Sequence, residues 1–172
     1  MAQAAPSERF DALFREHRGF VFRSLRHLGS PPEATEDLTQ EVFITLYRRS
    51  SDFDASRSAR AWLFTTARNV LANYRRVSAR AQRKLKALAD APNEPTRTFD
   101  PQRLETARTV EQLLLQMDEP KRLVLLLADA EGLTGPELAA ALDIPLNTAY
   151  SRLRSARSEF ERLVAPLDGS TP

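Results

Sequence analysis

Leu133-Thr134-Gly135-Pro136-Glu137-Leu138-Ala139-Ala140-Ala141-Leu142-Asp143-Ile144-Pro145-Leu146-Asn147-Thr148-Ala149-Tyr150-Ser151-Arg152-Leu153 reads as two helices joined by a tight turn. Thr134 and Glu137 have the spacing of a capping box, so the first helix begins there with its orphan amides satisfied. Ala139 and Ala140 are small, as the close crossing of two short helices requires, and Leu138, Leu142, Ile144, Ala149 and Leu153 supply a shared core. Asp143 falls at the turn, where a left-handed backbone usually calls for glycine; aspartate tolerates that conformation better than most residues. Pro145 then sets the start of the next helix. That helix exposes Asn147, Thr148, Tyr150, Ser151, Arg152, Arg154, Ser155 and Arg157. Its first half is uncharged and hydrogen-bonding, the character of groups that meet base edges or phosphates in a major groove. Its arginines suit guanine or phosphate. A structural helical hairpin in a protein-binding domain carries the same pattern, so both readings stand at this point.

Working outward, nearly everything else also reads as helix. Phe10, Leu13, Phe14, His17, Val21, Leu25 and Leu28 recur at three- and four-residue steps, which predicts a helix over about Ser7–Leu28. Gly29-Ser30-Pro31-Pro32 stops it. A second helix, about Glu33–Arg49, buries Leu38, Val42, Phe43 and Leu46. A third starts near Ser58 and runs through Tyr74, with Leu63, Ala67, Val70 or Leu71, and Tyr74 as its buried stripe. Pattern lapses from Asp90 to Gln102, where Ala91-Pro92-Asn93-Glu94-Pro95-Thr96 and Asp100-Pro101 have the composition of a flexible linker. Helix resumes near Leu104, followed by a trio over about Pro120–Ala130, Pro136–Leu142 and Leu146–Val164. The fold class is therefore all-α, in two small helical domains. Their expected bounds are 1–89 and 104–172, joined by a linker over 90–103 that spans roughly 45 Å when extended.

Charge is distributed unevenly although the net value is only +2. Between His27 and Tyr47 no Lys or Arg occurs, while Glu33, Glu36, Asp37 and Glu41 do. From Ala55 to Ala89 the balance reverses: Arg57, Arg60, Arg68, Arg75, Arg76, Arg80, Arg83, Lys84 and Lys86 stand without an acid. So pure a basic segment is a candidate phosphate-binding surface, against the plainer reading of a solvated face, which normally mixes signs. Asp37, Gln40 and Glu41 share one exposed helix face at i, i+3 and i+4. A paired-carboxylate enzyme is one reading of that face, but no His accompanies it and no metal-ligand spacing appears. A polar docking patch for a basic, helical partner is the alternative.

Composition removes several classes. Apolar residues at 42% and charged residues at 28% describe a globular chain. Cysteine is absent, so disulfides, thiolate metal sites and cysteine nucleophiles fall away together. No apolar run approaches the roughly 18 residues of a membrane span. The amino terminus has no signal-peptide core, and the cytoplasm is the expected compartment.

Three motifs in order then resemble the extracytoplasmic-function sigma factors of bacterial RNA polymerase. Glu36-Asp37-Leu38-Thr39-Gln40-Glu41-Val42-Phe43, with Ala61-Trp62-Leu63-Phe64, Ala67-Arg68-Asn69 and Tyr74-Arg75-Arg76, looks like their second region. Glu131-Gly132-Leu133-Thr134 through Ser151-Arg152-Leu153-Arg154-Ser155-Ala156-Arg157 looks like their fourth. The resemblance implies an alternative initiation factor in which Asp37, Gln40, Glu41 and Phe43 bind core polymerase. It implies that Arg60, Trp62, Arg68, Asn69, Asn73, Arg75 and Arg76 engage the opened −10 element, with Asp52–Ser58 as the base-capturing loop. Asn147, Thr148, Tyr150, Ser151, Arg152, Arg154 and Arg157 would read the −35 element. The partners implied are core RNA polymerase, promoter DNA and an anti-sigma factor. No catalytic residue, metal, cofactor, small-molecule substrate or membrane insertion is expected. Asn73 stands where the family usually has Asp, Ala149 and Tyr150 replace a frequent Val and Lys, and Met117-Asp118 replaces Leu-Pro.

Two rivals remain: a one-domain DNA-binding regulator and a helical nucleic-acid enzyme. The first has no need of the acidic Asp37–Glu41 face. The second needs a metal or nucleophile constellation, whereas His17 and His27 sit in the first helix as structural residues.

Overall fold

The computed structural model describes residues 6–49, 58–86 and 110–168. Helix α1 spans Pro6–His27. It stops because Gly29 turns to φ 79°, a conformation that glycine adopts without steric cost. The Ser30 amide then donates to the Leu25 carbonyl and the Gly29 amide to that of Arg26, both at 2.9 Å, the paired bonds of a Schellman stop. Arg75, from a later helix, donates to the carbonyls of Leu28 at 2.6 Å and Gly29 at 3.2 Å. A cation thus sits at the negative end of α1.

A 3₁₀ turn over Pro32–Ala34 leads into α2, Thr35–Arg48. The Thr35 hydroxyl donates to the Pro31 carbonyl at 2.7 Å and lies 2.8 Å from that of Ser30. These bonds satisfy polar groups buried at the corner. Glu36 and Asp37 occupy the first turn of α2, where negative charge is favoured. Helix α3 runs over Ala59–Lys86. Phe20, Val21 and Leu25 of α1 meet Leu38, Val42, Phe43 and Leu46 of α2 and Leu63, Phe64, Ala67 and Leu71 of α3 in the core. Leu71 rather than Val70 is the fully buried member of the α3 stripe, and Tyr74 is half-buried.

The second half begins with α4, residues 110–116. Helix α5, Glu119–Leu125, widens into a π turn over Leu126–Ala130. Helices α6, Gly135–Leu142, and α7, Leu146–Asp168, form the expected pair. The Thr134 amide donates to Glu137 Oε2 at 2.8 Å, building the glutamate half of the capping box. Asp143 adopts φ 55° and ψ 53°, the left-handed turn read from its position. The small residues at the crossing differ from the expectation: Ala141 and Ala149 are fully buried, whereas Ala140 is exposed and Ala139 half-buried. Helical periodicity decides this, because Ala141 follows Leu138 by three residues on the inward face. Lys121 with Glu159 at 2.6 Å, and Arg157 with Asp129 at 3.1 and 2.5 Å, tie the α5 segment to α7.

The two halves are in contact. One apolar cluster runs through both, and α3 lies against α6. The linker over 90–103, the loop at 52–57 and the helix start near Leu104 lie outside the described residues. No helix among the described residues is long and apolar enough to cross a membrane.

Truncating Phe43, 2% exposed, to alanine is expected to lower stability by about 3–5 kcal/mol, read as a shifted denaturant midpoint. The buried histidines set a pH dependence. Burial is the main cause that holds His27 and His17 below the ordinary value of 6.5; Arg23 and Arg26 add to it for His27, and Arg60 for His17. A lowered folded value means that the unfolded chain binds protons first. Their contribution is full above 6.5 and is lost as pH falls through the lowered folded values. Replacing His27 by Gln is expected to flatten that slope in denaturation series across pH.

Candidate partner and nucleic-acid interfaces

Helix α2 presents the acidic face intact. Asp37, Gln40 and Glu41 are exposed, one helical turn apart along the side opposite Leu38, Val42 and Leu46. Ile44 is 41% exposed and Tyr47 63%, extending the face with apolar surface that the charge pattern did not reveal. Phe43 is a correction. It was expected among the docking residues, but it is buried, its ring 4.8 Å from that of Phe14 and 6.5 Å from that of Phe10. Phe43 therefore lies beneath the face rather than on it. Tyr47 packs edge-on to Phe10 at 5.5 Å. Glu36 is engaged by Arg18 at 2.7 Å.

On α3 the expected nucleic-acid residues divide by face. Asn69, Asn73 and Arg76 are exposed, and their spacing puts them on one side of the helix. Arg75 is exposed as a residue, yet its guanidinium is spent on the α1 carbonyls. Arg60 lies 5.0 Å over the Phe20 ring and donates to the Glu131 carbonyl. Trp62 is half-buried against the core. Arg68 lines a cleft with Leu71, Ala72 and Arg75 on one side and Pro120, Leu123, Leu142 and Arg152 on the other. The side chains of Arg83, Lys84 and Lys86 lie outside the described residues.

On α7, Asn147, Tyr150, Ser151, Arg154 and Arg157 are exposed and Thr148 is half-buried. Ser151 donates back to the Thr148 carbonyl at 3.1 Å. A side-chain carbon added at Gly135 would come within 2.4 Å of the Tyr150 ring, so glycine there is what lets Tyr150 lie across the start of α6. Arg157 already serves Asp129 in a two-pronged pair, which makes it a brace of its own half. Arg152 is half-buried in the cleft.

Charged and polar groups far apart in the sequence meet between the halves. Glu131, at the end of the π turn, has a side chain 1% exposed. Arg23 of α1 grips it from Nε at 2.7 Å and Nη2 at 2.9 Å. Ser58 donates to Glu137 Oε1 at 2.7 Å, and Thr65 to the Ala141 carbonyl at 3.4 Å. The Ser58 bond, with those from Thr134, holds the Glu137 carboxyl below the usual carboxylate range. In sequence, Arg23 and Glu131 stand far apart, with no signal that they pair. Among the described residues no group of three or more His, Cys, Asp or Glu comes together to hold a metal ion.

Comparison with known proteins bears on both halves. Residues 13–81 match the family model for Sigma-70 region 2, and residues 107–160 that for Sigma-70, region 4. The RNA polymerase sigma factor NccH of Alcaligenes xylosoxydans xylosoxydans is 28% identical over 163 residues, covering 90% of this chain and 86% of that protein. The ECF RNA polymerase sigma-E factor of Escherichia coli K12 is 27% identical over 149 residues, covering 80% and 77%. The solved structure of CnrH in complex with the cytosolic domain of CnrY superposes with a TM-score of 0.67 at 27% identity, covering 96% of this chain and 91% of that one. With a helical region 2 followed by a helix-turn-helix region 4, the chain belongs to the extracytoplasmic-function sigma factors, alternative factors for transcription initiation by bacterial RNA polymerase.

Proposed function

We propose that α2 is the polymerase-docking element and that α3 and α7 read the −10 and −35 promoter elements. The observation that carries this reading is the separation of surfaces. An acidic face with exposed Ile44 and Tyr47 stands on α2, while the exposed polar and basic side chains Asn69, Asn73 and Arg76 stand on α3. A regulator that only binds DNA has no use for the first of these. Asp37, Gln40 and Glu41 offer charge and hydrogen bonds to a basic helical partner, and Ile44 adds apolar contact at the centre of a polar rim.

Opening a promoter costs base stacking, a few kcal/mol per flipped base. The chain offsets that cost by neutralising phosphates and by stacking or bonding unpaired bases along α3. It performs no covalent chemistry, which belongs to the polymerase. In the duplex, Asn147, Ser151 and Arg154 are the exposed groups of the first turns of α7 that meet base edges or phosphates, with Tyr150 beside them. An anti-sigma factor is the inferred regulator, supported by the CnrH structure, which holds the cytosolic domain of CnrY. The site of action is the cytoplasm, where polymerase is found.

In vitro transcription with purified bacterial core polymerase tests the whole reading; absence of specific initiation on genomic templates would overturn it. Asp37→Arg combined with Glu41→Arg is expected to weaken core binding at least about a hundredfold, since like charges facing each other cost several kcal/mol. Unchanged pull-down by core would remove α2 from the docking role. Arg154→Ala and Arg152→Ala are expected to weaken promoter binding. A base contact shows as about 1–3 kcal/mol with relaxed preference, and a phosphate contact as uniform weakening with a salt slope lower by about 1. Full retention of affinity and slope would take either residue out of the interface.

A further inference from the structure

We propose that Tyr150, held in place by Gly135 and flanked by Leu146, is a specificity-determining residue that reads a thymine methyl group in the −35 element. This rests on the −35 role assigned to α7 above. The first turns of α7 carry two exposed apolar side chains among polar neighbours. Leu146 is 42% exposed and Tyr150 49%, and their four-residue spacing puts them on one side of the helix. Neither belongs to the apolar cluster beneath. Asn147 and Ser151, also exposed, each follow one of them by a single residue, so hydrogen-bonding groups line the adjacent side.

Gly135 decides which part of Tyr150 is offered. A side-chain carbon at Gly135 would stand 2.5 Å from the Tyr150 hydroxyl oxygen and from ring atom Cε1, so the tip and one edge of the ring lie against the start of α6. The polar end of the tyrosine is thus turned to the protein, and the surface it offers is mainly ring carbon. Packing on the α6 backbone also holds the ring in place before DNA arrives, so little rotamer freedom is lost on contact. In the major groove the thymine C5-methyl is the distinctive apolar group among the base edges. A hydrocarbon edge gains from that methyl and offers no hydrogen bond to the cytosine amino group or the guanine oxygen. Asn147 and Ser151 beside it supply the polar half of the readout.

The probe is a promoter on which holoenzyme, assembled from the full-length chain and core polymerase, initiates. Each thymine of its −35 element, on either strand, is replaced in turn by deoxyuridine, which lacks only the methyl. At one position the replacement is expected to weaken holoenzyme binding about fourfold, the effect of one buried carbon group. Tyr150→Phe is expected to keep that discrimination and Tyr150→Ala to abolish it. Gly135→Ala is expected to abolish it too, because the added carbon displaces the ring. Gly135 precedes Pro136, so alanine there also carries a local backbone cost, and the double variant with Tyr150→Ala separates the two effects. If the ring is what moves, Gly135→Ala lowers DNA affinity no further in that background. The proposal is overturned by equal binding of thymine and uracil at every position, or by an equal loss on both templates in Tyr150→Ala. Loss of discrimination in Tyr150→Phe, or a Gly135→Ala loss that persists without the ring, overturns it as well. Failure to initiate on any genomic template would sink the promoter-reading assignment itself, whereas initiation without methyl discrimination sinks only this inference.

Discussion

The carboxylate of Glu131 and the guanidinium of Arg23 come from residues 108 apart in the chain. Their meeting defines how the two halves sit together. A carboxylate with 1% of its side chain exposed is tolerable only when paired, because stripping water from an unpaired charge costs several kcal/mol. Arg23 remains 55% exposed, so one partner stays hydrated and the desolvation cost falls mainly on the other. Such a pair adds little to net stability and much to geometry. It sets where the end of the π turn lies against α1.

That arrangement gives α3 two uses. Its first turns, carrying Ser58, Arg60 and Thr65, hold the other half, while Asn69, Asn73 and Arg76 farther along stay exposed. Arg75 closes the end of α1 and stiffens the bundle from which the basic helix projects. The acidic face of α2 is untouched by these contacts. It rests on Phe43, Phe14 and Phe10, a set of rings in mutual contact, so its charges are presented on a rigid floor. The faces proposed for docking and for DNA thus stand on different helices of one small bundle.

Much of this was legible in the residues. The three- and four-residue spacing of Val21, Leu25, Leu38, Val42, Leu46, Leu63 and Ala67 located the buried faces, because apolar periodicity and burial express the same requirement. Gly29 and Asp143 marked two of the sharp turns, since few side chains tolerate a positive φ. Individual side-chain fates were less legible. Phe43 read as a docking residue from its place in a motif, although its helical phase puts it under the face. Arg75 and Arg157 read as nucleic-acid contacts from their charge, and each proved to hold carbonyl or carboxylate groups of the protein. A cation's sign is visible in sequence, but which anion it finds depends on where the fold brings one.

Local pattern was therefore enough for the helices, their caps, the helix-turn-helix and the kinship with sigma factors. Each depends on neighbours within about a turn or on motif order along the chain. The pairing of Arg23 with Glu131, the cleft ringed by Arg68, Arg75 and Arg152, and the exposure of Ile44 became visible only when the helices were packed. Contacts between distant segments obey no spacing rule, because burial and charge pairing are properties of the assembled surface and not of the order of residues.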